Sequence, residues 1–291
     1  TTRHSYKSGI YVSYKGFAKD VKPKDAILLD DGRLKLEVVH TDNNSVVRAK
    51  VVFGGVLYSK KGINLPNTKI SLPCLTKKDK EDLSFVLTEK IEWIALSFVR
   101  EGKDVLKLKR ILKKHNSSIG VVSKIEKPEA IKAIEEIILY SDAVMVARGD
   151  LGVEVPAFRV PAYQKMIVKK AIEQSKPVII ATQMLESMTD SSVATRAEAN
   201  DVANSVIDGA DAVMLSAETS VGKFPLKAVD TMRKIIRDIE KSEYNFSADF
   251  EPPKETSEQK PRNVSDSICA HATQLARQAR VKAIITMTYS G

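Results

Sequence analysis

Long apolar runs, cysteine clusters and nucleic-acid recognition motifs are all missing from this sequence of 291 residues. No apolar run approaches the roughly 20 residues of a membrane span, and no signal peptide is recognisable, so we expect a soluble, cytoplasmic protein without a membrane partner. The two cysteines, Cys74 and Cys269, lie far apart and fit no metal-site spacing, which indicates reduced thiols. No segment interleaves basic with aromatic residues, so nucleic acid is not an expected partner.

The charge balance is basic, with 46 Lys+Arg against 37 Asp+Glu and a formal net charge of +9. A solvated lysine surface is the common explanation of such a surplus. The functional explanation is an electrostatic field that attracts anionic substrates. Hydrophobic residues make up 43% of the chain, which is ample for a core. The length exceeds one average domain, although a single α/β barrel reaches this size.

Residues 1–66 have the pattern of a small all-β module. Short β-prone runs alternate with turn-forming clusters of Asp, Asn and Gly, which is typical of strands joined by tight turns. The predicted strands cover residues 10–12, 26–29, 34–39, 46–52 and 56–58. After the last of them, Lys60 and Lys61 precede a glycine, and a pair of solvated charges at a sheet edge is the common reading of such lysines.

Residues 67–242 alternate between amphipathic and almost wholly apolar segments. This pattern predicts a parallel sheet that is covered on both faces. The predicted strands cover residues 93–98, 120–126, 143–147, 177–183 and 212–216. The first predicted helix begins at the N-cap Thr76. The others cover residues 105–112, 128–138, 161–174, 195–206 and 225–240. A polar, proline-bearing stretch at 243–263 is a predicted linker, and 264–291 begin another α/β unit.

The number of βα units leaves two architectures open. We count five units, whereas a (β/α)₈ barrel needs eight, so an open five-stranded sheet is an alternative. Polar residues at the end of each strand, and the β module before the first, favour the barrel. The sequence also repeats itself weakly, because residues 141–147 resemble residues 210–216. Both segments are helix-to-strand transitions, which indicates a repeated βα unit rather than a duplicated function.

An apolar run at 143–147 ends in Arg148, Gly149 and Asp150, and a helix-compatible segment follows. Ligands bind at the carboxyl ends of strands in parallel α/β proteins. Gly149 lets the backbone approach a ligand closely, and the N–H groups that open the next helix can bind an anion. Asp150 supplies a hard oxygen ligand for Mg²⁺. An anion beside a divalent cation predicts phosphoryl or enolate chemistry.

Two further strand ends supply candidate groups. Lys124 and Glu126 lie on one face of their strand, and Glu126 and Asp150 end consecutive βα units whose strands we expect to be neighbours. Their carboxylates could share one Mg²⁺, although a structural Lys124–Glu126 ion pair is the alternative. Thr182 is either the N-cap of the helix after it or a hydrogen-bonding and proton-relay group. Thr195 begins a capping box, in which a role for Arg196 is secondary.

Several of these segments together resemble the pyruvate kinase family. They are residues 60–66, 123–128, 145–154, 181–188, 195–198 and 211–219, in order along the chain. The resemblance implies a partial TIM (β/α)₈ barrel with an all-β lid and a truncated C-terminal α/β domain. The lid would be residues 1–66, which are expected to move as one body, and barrel strands four to eight would lie within 67–242. Residues 264–291 would start the C-terminal domain.

The resemblance also implies the reaction, which is phosphoryl transfer from phosphoenolpyruvate to ADP, giving pyruvate and ATP in glycolysis. Glu126 and Asp150 would hold Mg²⁺ or Mn²⁺, and Lys124 would stabilise the phosphoryl group and the enolate. Backbone N–H groups of Gly149 and Asp150 would bind the substrate carboxylate. Thr182 would lie on the proton path to carbon.

On the lid, Lys61 would contact the nucleotide phosphates. The family further implies K⁺ and a homotetramer. The usual K⁺ ligands and a phosphate-contacting arginine are absent from these residues, so we expect a fragment with little turnover alone. Another Mg²⁺-dependent barrel enzyme acting on an enolpyruvate or 2-oxo acid is an alternative reading. A second alternative is a non-catalytic fragment, or a module that binds a partner.

Overall fold

The structure is a computed structural model that describes residues 9–66, residues 68–242 and isolated positions between 268 and 285. The predicted linker, 243–263, lies outside the described residues, and so does most of the predicted C-terminal unit, 264–291. The fold is mixed α/β, with one antiparallel and one parallel sheet.

The N-terminal part forms a four-stranded antiparallel sheet with the order β3-β2-β1-β4. Its strands are β1 (Ala26–Leu29), β2 (Leu34–Thr41), β3 (Val47–Phe53) and β4 (Ile63–Asn64). Every second residue of β1 is buried, and Leu34 and Val38 of β2 join Val21 and Leu65 in one core cluster. Apolar residues at a period of two therefore give this sheet its buried face.

Two strands predicted in this part are wrong, because residues 10–12 and 56–58 are not strands. Val56 and Tyr58 are exposed. The chain instead returns to the open edge of β1, where β4 pairs antiparallel with it. The part is not all-β either, because a one-turn helix α1 (Phe17–Asp20) precedes the sheet and buries Ala18.

The second sheet has five parallel strands in sequence order. They are β5 (Trp93–Leu96), β6 (Gly120–Ile125), β7 (Ala143–Ala147), β8 (Val178–Ala181) and β9 (Ala212–Met214). The prediction of five short parallel strands is confirmed, with each strand ending up to two residues earlier than expected. The sequential order means that each strand pairs with the strand before it in the chain.

Helices connect these strands and follow the last one. They are α2 (Lys77–Val86), α3 (Gly102–Lys114), α4 (Pro128–Lys132), α5 (Ile134–Tyr140), α6 (Arg148–Glu154), α7 (Val160–Glu173), α8 (Arg196–Ile207), α9 (Ala217–Ser220) and α10 (Pro225–Lys241). The predicted caps Thr76 and Thr195 are confirmed, each in a capping box, with Asp79 and Glu198 respectively. The single helix predicted at 128–138 is interrupted at Ala133. No helix in the described part of the chain is long and apolar enough to cross a bilayer.

The two faces of the parallel sheet are packed differently. Val121, Val144 and Ile180 belong to a large core cluster that includes residues of nearly all the helices. On the opposite face, the cluster around Val122 and Met145 contains only strand residues among those described. Helices therefore lie on one face of the parallel sheet, and the prediction that helices cover both faces is wrong. Crossovers between parallel strands are right-handed. When each strand also lies on the same side of the strand before it, every connecting helix falls on the same face of the sheet.

The repeated segment has a structural explanation. Asp142 precedes β7, and its carboxylate accepts a hydrogen bond from the Val121 N–H at 2.8 Å. Asp211 precedes β9 and accepts one from the Val178 N–H, also at 2.8 Å. Each aspartate thereby joins the start of its strand to the start of the neighbouring strand. These contacts lie at the amino ends of the strands, which supports the reading of the repeat as structural.

Candidate active site

The candidate residues meet at the carboxyl edge of the parallel sheet. Strands β6 and β7 pair in parallel with Lys124 beside Met145, and β7 and β8 pair with Ala147 beside Ala181. The expectation that these strands are neighbours is confirmed. The segments after β6, β7 and β8 are therefore adjacent, which brings together the predicted groups of three separate βα units.

Lys124 and Glu126 form an ion pair at the end of β6. The Lys124 Nζ lies 2.6 Å from Glu126 Oε1, and the Glu126 side chain is 1% exposed. Glu126 Oε2 accepts the Phe98 N–H at 2.7 Å, and Lys124 Nζ donates to Ser97 Oγ at 3.2 Å. The structure confirms that both side chains lie on one face and shows the ion pair that we considered as the alternative.

The free lone pairs of Glu126 bear on metal binding. Oε1 is buried and accepts no hydrogen bond, because the Lys124 ammonium contacts it outside hydrogen-bonding geometry. The Lys124 ammonium supplies a compensating charge, and the remaining lone pairs of this carboxylate can accept a second cation. Asp150 is half-buried in the first turn of α6 and lines the same cavity as Ser97 and Phe98, which bond to Lys124 and Glu126 respectively. Mg²⁺ is commonly held by one or two carboxylates plus substrate oxygens, so this donor set fits it. Within the described ranges, no group of three or more His, Cys, Asp or Glu side chains could hold a metal.

Thr182 follows β8 in a left-handed backbone conformation, with φ +69°. Its hydroxyl donates to the Ala181 carbonyl at 2.6 Å and accepts the Gly149 N–H at 2.7 Å. Thr182 is not the N-cap of the helix after it, because Leu185 precedes the 3₁₀ turn Glu186–Thr189. The threonine instead satisfies an N–H group in the first turn of α6, which starts from the neighbouring strand.

Gly149 was predicted to offer its N–H to a substrate carboxylate. In the structure that N–H is engaged by the Thr182 hydroxyl. A Cβ on residue 149 would lie 3.2 Å from Thr182 Oγ1, so glycine permits this close approach. A substrate oxygen at this position would stand where the threonine oxygen now stands.

Arg148 was not predicted to have a role of its own, and it is the most connected polar residue at this edge. The side chain is 9% exposed, and Nη1 lies 2.6 Å from Asp201 Oδ1. The same guanidinium donates to the carbonyls of Thr182 and Gln183. An arginine directly after a wholly apolar strand was the only signal of this in the sequence.

The cavity of about 740 Å³ lies between the two sheets. The N-terminal part contributes Asp31 and residues 62–66, and the parallel-sheet part contributes residues 94–98 at the end of β5, Lys127 and Glu129 after β6, and Asp150 and Glu154 of α6. Cys74 also lines it, and burial, with a smaller effect of Asp104, raises the pKa of its thiol to about 12. The Cys74 thiol forms no disulfide bond, as expected from the spacing of the two cysteines. The cavity is bounded on one side by polar strand ends and on the other by the predicted lid.

A second polar cluster crosses this cavity and was also missed. Glu154, at the end of α6, has a side chain that is 2% exposed and lies 2.7 Å from the Lys127 ammonium. Asn64 of β4 donates its side-chain amide to the same oxygen, Glu154 Oε1, at 2.9 Å. The Lys127 ammonium also lies 5.8 Å from the centre of the Phe98 ring. This cluster links the antiparallel sheet to the carboxyl edge of the parallel one.

Lys61 lies beside this cavity on the N-terminal part. Its ammonium pairs with Asp30 at 2.8 Å, and its side chain is 40% exposed. Because Lys61 is paired with Asp30, it is not simply a solvated charge at a sheet edge, which was the common interpretation of Lys60 and Lys61. The Lys61 contact with nucleotide phosphates stays a prediction.

The family model described as pyruvate kinase, barrel domain, matches residues 1–229. A pyruvate kinase of Corynebacterium glutamicum is 46% identical over 282 residues, which are 97% of this chain and 57% of that protein. Those of Thermotoga maritima and Mycobacterium tuberculosis are 43% and 45% identical, again over 97% of this chain.

The chain spans 57–59% of the length of these relatives. The similarity nevertheless covers the ends of β6, β7 and β8, where Lys124, Glu126, Asp150 and Thr182 lie. With the family model matching more than three quarters of its residues, the chain belongs to the pyruvate kinase family.

Proposed function

We propose that this chain carries the site for Mg²⁺-dependent phosphoryl transfer from phosphoenolpyruvate to ADP, which gives pyruvate and ATP. One observation carries the proposal: the buried Glu126 pairs with the half-buried Lys124, keeps one carboxylate oxygen free of hydrogen bonds, and follows the strand next to the one that leads to Asp150. A cation, a lysine and a helix start in one place suit a substrate with a phosphoryl and a carboxylate group.

The proposed architecture is a part of a (β/α)₈ barrel. Five parallel strands in sequence order, with helices on one face, support this proposal, because the strand order of a doubly wound sheet reverses. We assign residues 1–66 as the lid, 67–242 as barrel strands four to eight, and 264–291 as the start of a C-terminal domain. We place the protein in the cytoplasm, as part of a homotetramer.

Charge stabilisation is the central task of the proposed mechanism. Glu126 and Asp150 would hold Mg²⁺ or Mn²⁺, which supplies positive charge to phosphoryl and enolate oxygens. Lys124 adds a fixed positive charge from the same strand end. Its ammonium is held by Glu126 and Ser97, so little reorganisation is needed when negative charge develops on the substrate. K⁺ would assist as a second cation, and we assign it no ligand in this chain.

The remaining groups orient the substrates. The Asp150 N–H and, after displacement of the Thr182 hydroxyl, the Gly149 N–H would bind the carboxylate of phosphoenolpyruvate. The freed Thr182 hydroxyl would then hold or relay the proton that reaches the enolate carbon. Lys61, on the lid side of the cavity, would contact the ADP phosphates after leaving Asp30.

The proposal is tested by the binding of phosphoenolpyruvate to the purified chain. Calorimetry with and without Mg²⁺ should show binding that depends on the cation and is lost in Lys124→Met, which keeps the length of the side chain and removes its charge. A coupled pyruvate assay with Mg²⁺, K⁺ and ADP then measures turnover, for which kinases typically reach about 1–100 s⁻¹.

Lys132→Met is the matched control, because Lys132 ends α4 outside the proposed site. It should bind phosphoenolpyruvate like the unaltered chain. Absence of cation-dependent binding in the folded protein would overturn the proposal. Binding of a 2-oxo acid in preference to phosphoenolpyruvate would favour a different Mg²⁺-dependent barrel enzyme.

A further inference from the structure

We propose that Arg148 is a positioning residue for the Thr182 hydroxyl. Its guanidinium would hold the backbone of Thr182 and Gln183 in the conformation that directs this hydroxyl to the Gly149 N–H. The contact between the end of β8 and the start of α6 does not depend on the assigned reaction. The catalytic consequence does rest on the proposed function.

The backbone after β8 needs an external constraint. Thr182 and Gln183 are consecutive residues with φ +69° and +54°. This region is unfavourable for residues with a Cβ, and for a β-branched threonine it is a genuine outlier. Such conformations persist only where the surrounding structure determines them.

Arg148 supplies that constraint through hydrogen bonds to both residues. Nη2 donates to the Thr182 carbonyl at 2.8 Å and to the Gln183 carbonyl at 3.2 Å, and Nε donates to the Thr182 carbonyl at 3.3 Å. The guanidinium is anchored from the other side by Asp201 of α8 at 2.6 Å and by Gln164 of α7 at 3.3 Å. Its position is therefore set by two helices.

A lysine could not replace this arginine. The planar guanidinium presents donors in fixed directions, whereas an ammonium is a single point of charge on a flexible stem. Lysine could still pair with Asp201, but its three donors diverge from one nitrogen, so they could not reproduce the separate Nε, Nη1 and Nη2 positions that reach both carbonyls and the Asp201 carboxylate. Thr182 Oγ1 accepts the Gly149 N–H only while its backbone stays in place, so losing the arginine should release this N–H.

The first test measures the Gly149 amide by hydrogen exchange and NMR in the full chain. Arg148→Lys and Arg148→Met should each lower its protection about tenfold or more, while the Val146 amide in β7 stays protected. Arg237→Met removes an exposed arginine of α10 and should change neither amide. Unchanged Gly149 protection in both Arg148 variants would overturn the proposal. If Arg148→Met does not fold, Asp201→Asn removes only the anchoring charge and should lower the protection less.

The second test separates positioning from a general structural effect. Exchange of the methyl protons of pyruvate with solvent, at saturating Mg²⁺, should fall about 10²-fold in Arg148→Lys, because the Thr182 hydroxyl is no longer held in place, whereas Mn²⁺ should bind within about twofold of the unaltered chain and phosphoenolpyruvate no more weakly. Equal losses in binding and exchange would contradict a positioning role. If the unaltered chain neither binds phosphoenolpyruvate nor exchanges these protons, the proposed function fails, and the amide measurement still decides the role of Arg148.

Discussion

Asn64 donates its side-chain amide to Glu154 Oε1 at 2.9 Å, across the cavity between the two sheets. The acceptor is a buried carboxylate that Lys127 already pairs with. A hydrogen bond to a charged, buried acceptor is stronger than a neutral one. The contact therefore tends to fix the N-terminal sheet against the parallel sheet, next to Glu126.

Asn64→Ala should loosen this connection. A hydrogen bond to a charged group contributes about 1.5–3 kcal/mol, so we expect faster amide exchange in residues 62–66 and 150–156. The core of the parallel sheet should not change. Hydrogen exchange followed by mass spectrometry measures both regions. Asn204→Ala, in which the lost amide bonds only within α8, is the control, and equal exchange in the two variants would contradict a role for Asn64.

Metal binding should depend on both carboxylates. Glu126→Gln and Asp150→Asn should each weaken Mn²⁺ binding at least about tenfold, since each removes a proposed charged ligand. Electron paramagnetic resonance of free Mn²⁺ measures this without any turnover. Glu129→Gln alters another carboxylate that lines the cavity and should leave the affinity unchanged. Carboxylate oxygens more than about 5 Å apart in a Mn²⁺-bound crystal structure would be incompatible with one shared ion.

Acid should destabilise the turn between β2 and β3 through Asp42. Hydrogen bonds from the backbone N–H groups of Val46, Asn44 and Ser45 hold the pKa of this carboxyl at about 2, below its ordinary 3.8. The folded-state pKa is lowered, so the stabilisation is complete above the ordinary value and is lost as the pH falls towards about 2.

Carboxyl chemical shifts should report that midpoint. Asp42→Asn keeps an acceptor oxygen but has no charge, so it should be less stable than the unaltered chain at about pH 5. The difference should shrink at about pH 3. Urea unfolding at the two pH values measures it, and a difference that grows on acidification would have the wrong sign.

The aspartates before β7 and β9 should contribute to stability rather than to activity. Asp142→Ala and Asp211→Ala each leave a strand N–H without its acceptor, which costs about 1–3 kcal/mol where the group is buried. Asp238→Ala, on the exposed face of α10, should cost much less. Thermal unfolding compares the three variants. Loss of phosphoenolpyruvate binding in a stable Asp142→Ala chain would place this residue in the site instead.

Local patterns in the sequence were sufficient for much of the fold. Apolar periodicity located the five parallel strands, and side-chain caps located the starts of α2 and α8, because these features depend on residues within one turn of each other. The alternation of side chains along β6 also placed Lys124 and Glu126 on one face. Each of these inferences needs only local geometry.

Contacts between distant segments account for what was missed. The strand β4 has only two residues, and it exists because β1 offers a free edge 34 to 36 residues earlier. Nothing within one turn of Thr182 indicates a left-handed backbone, which depends on an arginine 34 residues away. The helices lie on one face because of the order of the strands, which composition does not reveal.

Asp142 and Asp211 also have a consequence for how strands can be added to a parallel sheet. A slip of one residue between β6 and β7 would turn every side chain of the strand to its opposite face. The Asp142–Val121 bond sets this alignment at the far end from Lys124 and Glu126, and Asp211 repeats it for β8 and β9. The segment before each of these strands therefore sets the strand register, independently of the residues at the carboxyl edge. A designer could copy this segment to add a strand to a parallel sheet, leaving the carboxyl edge free to vary.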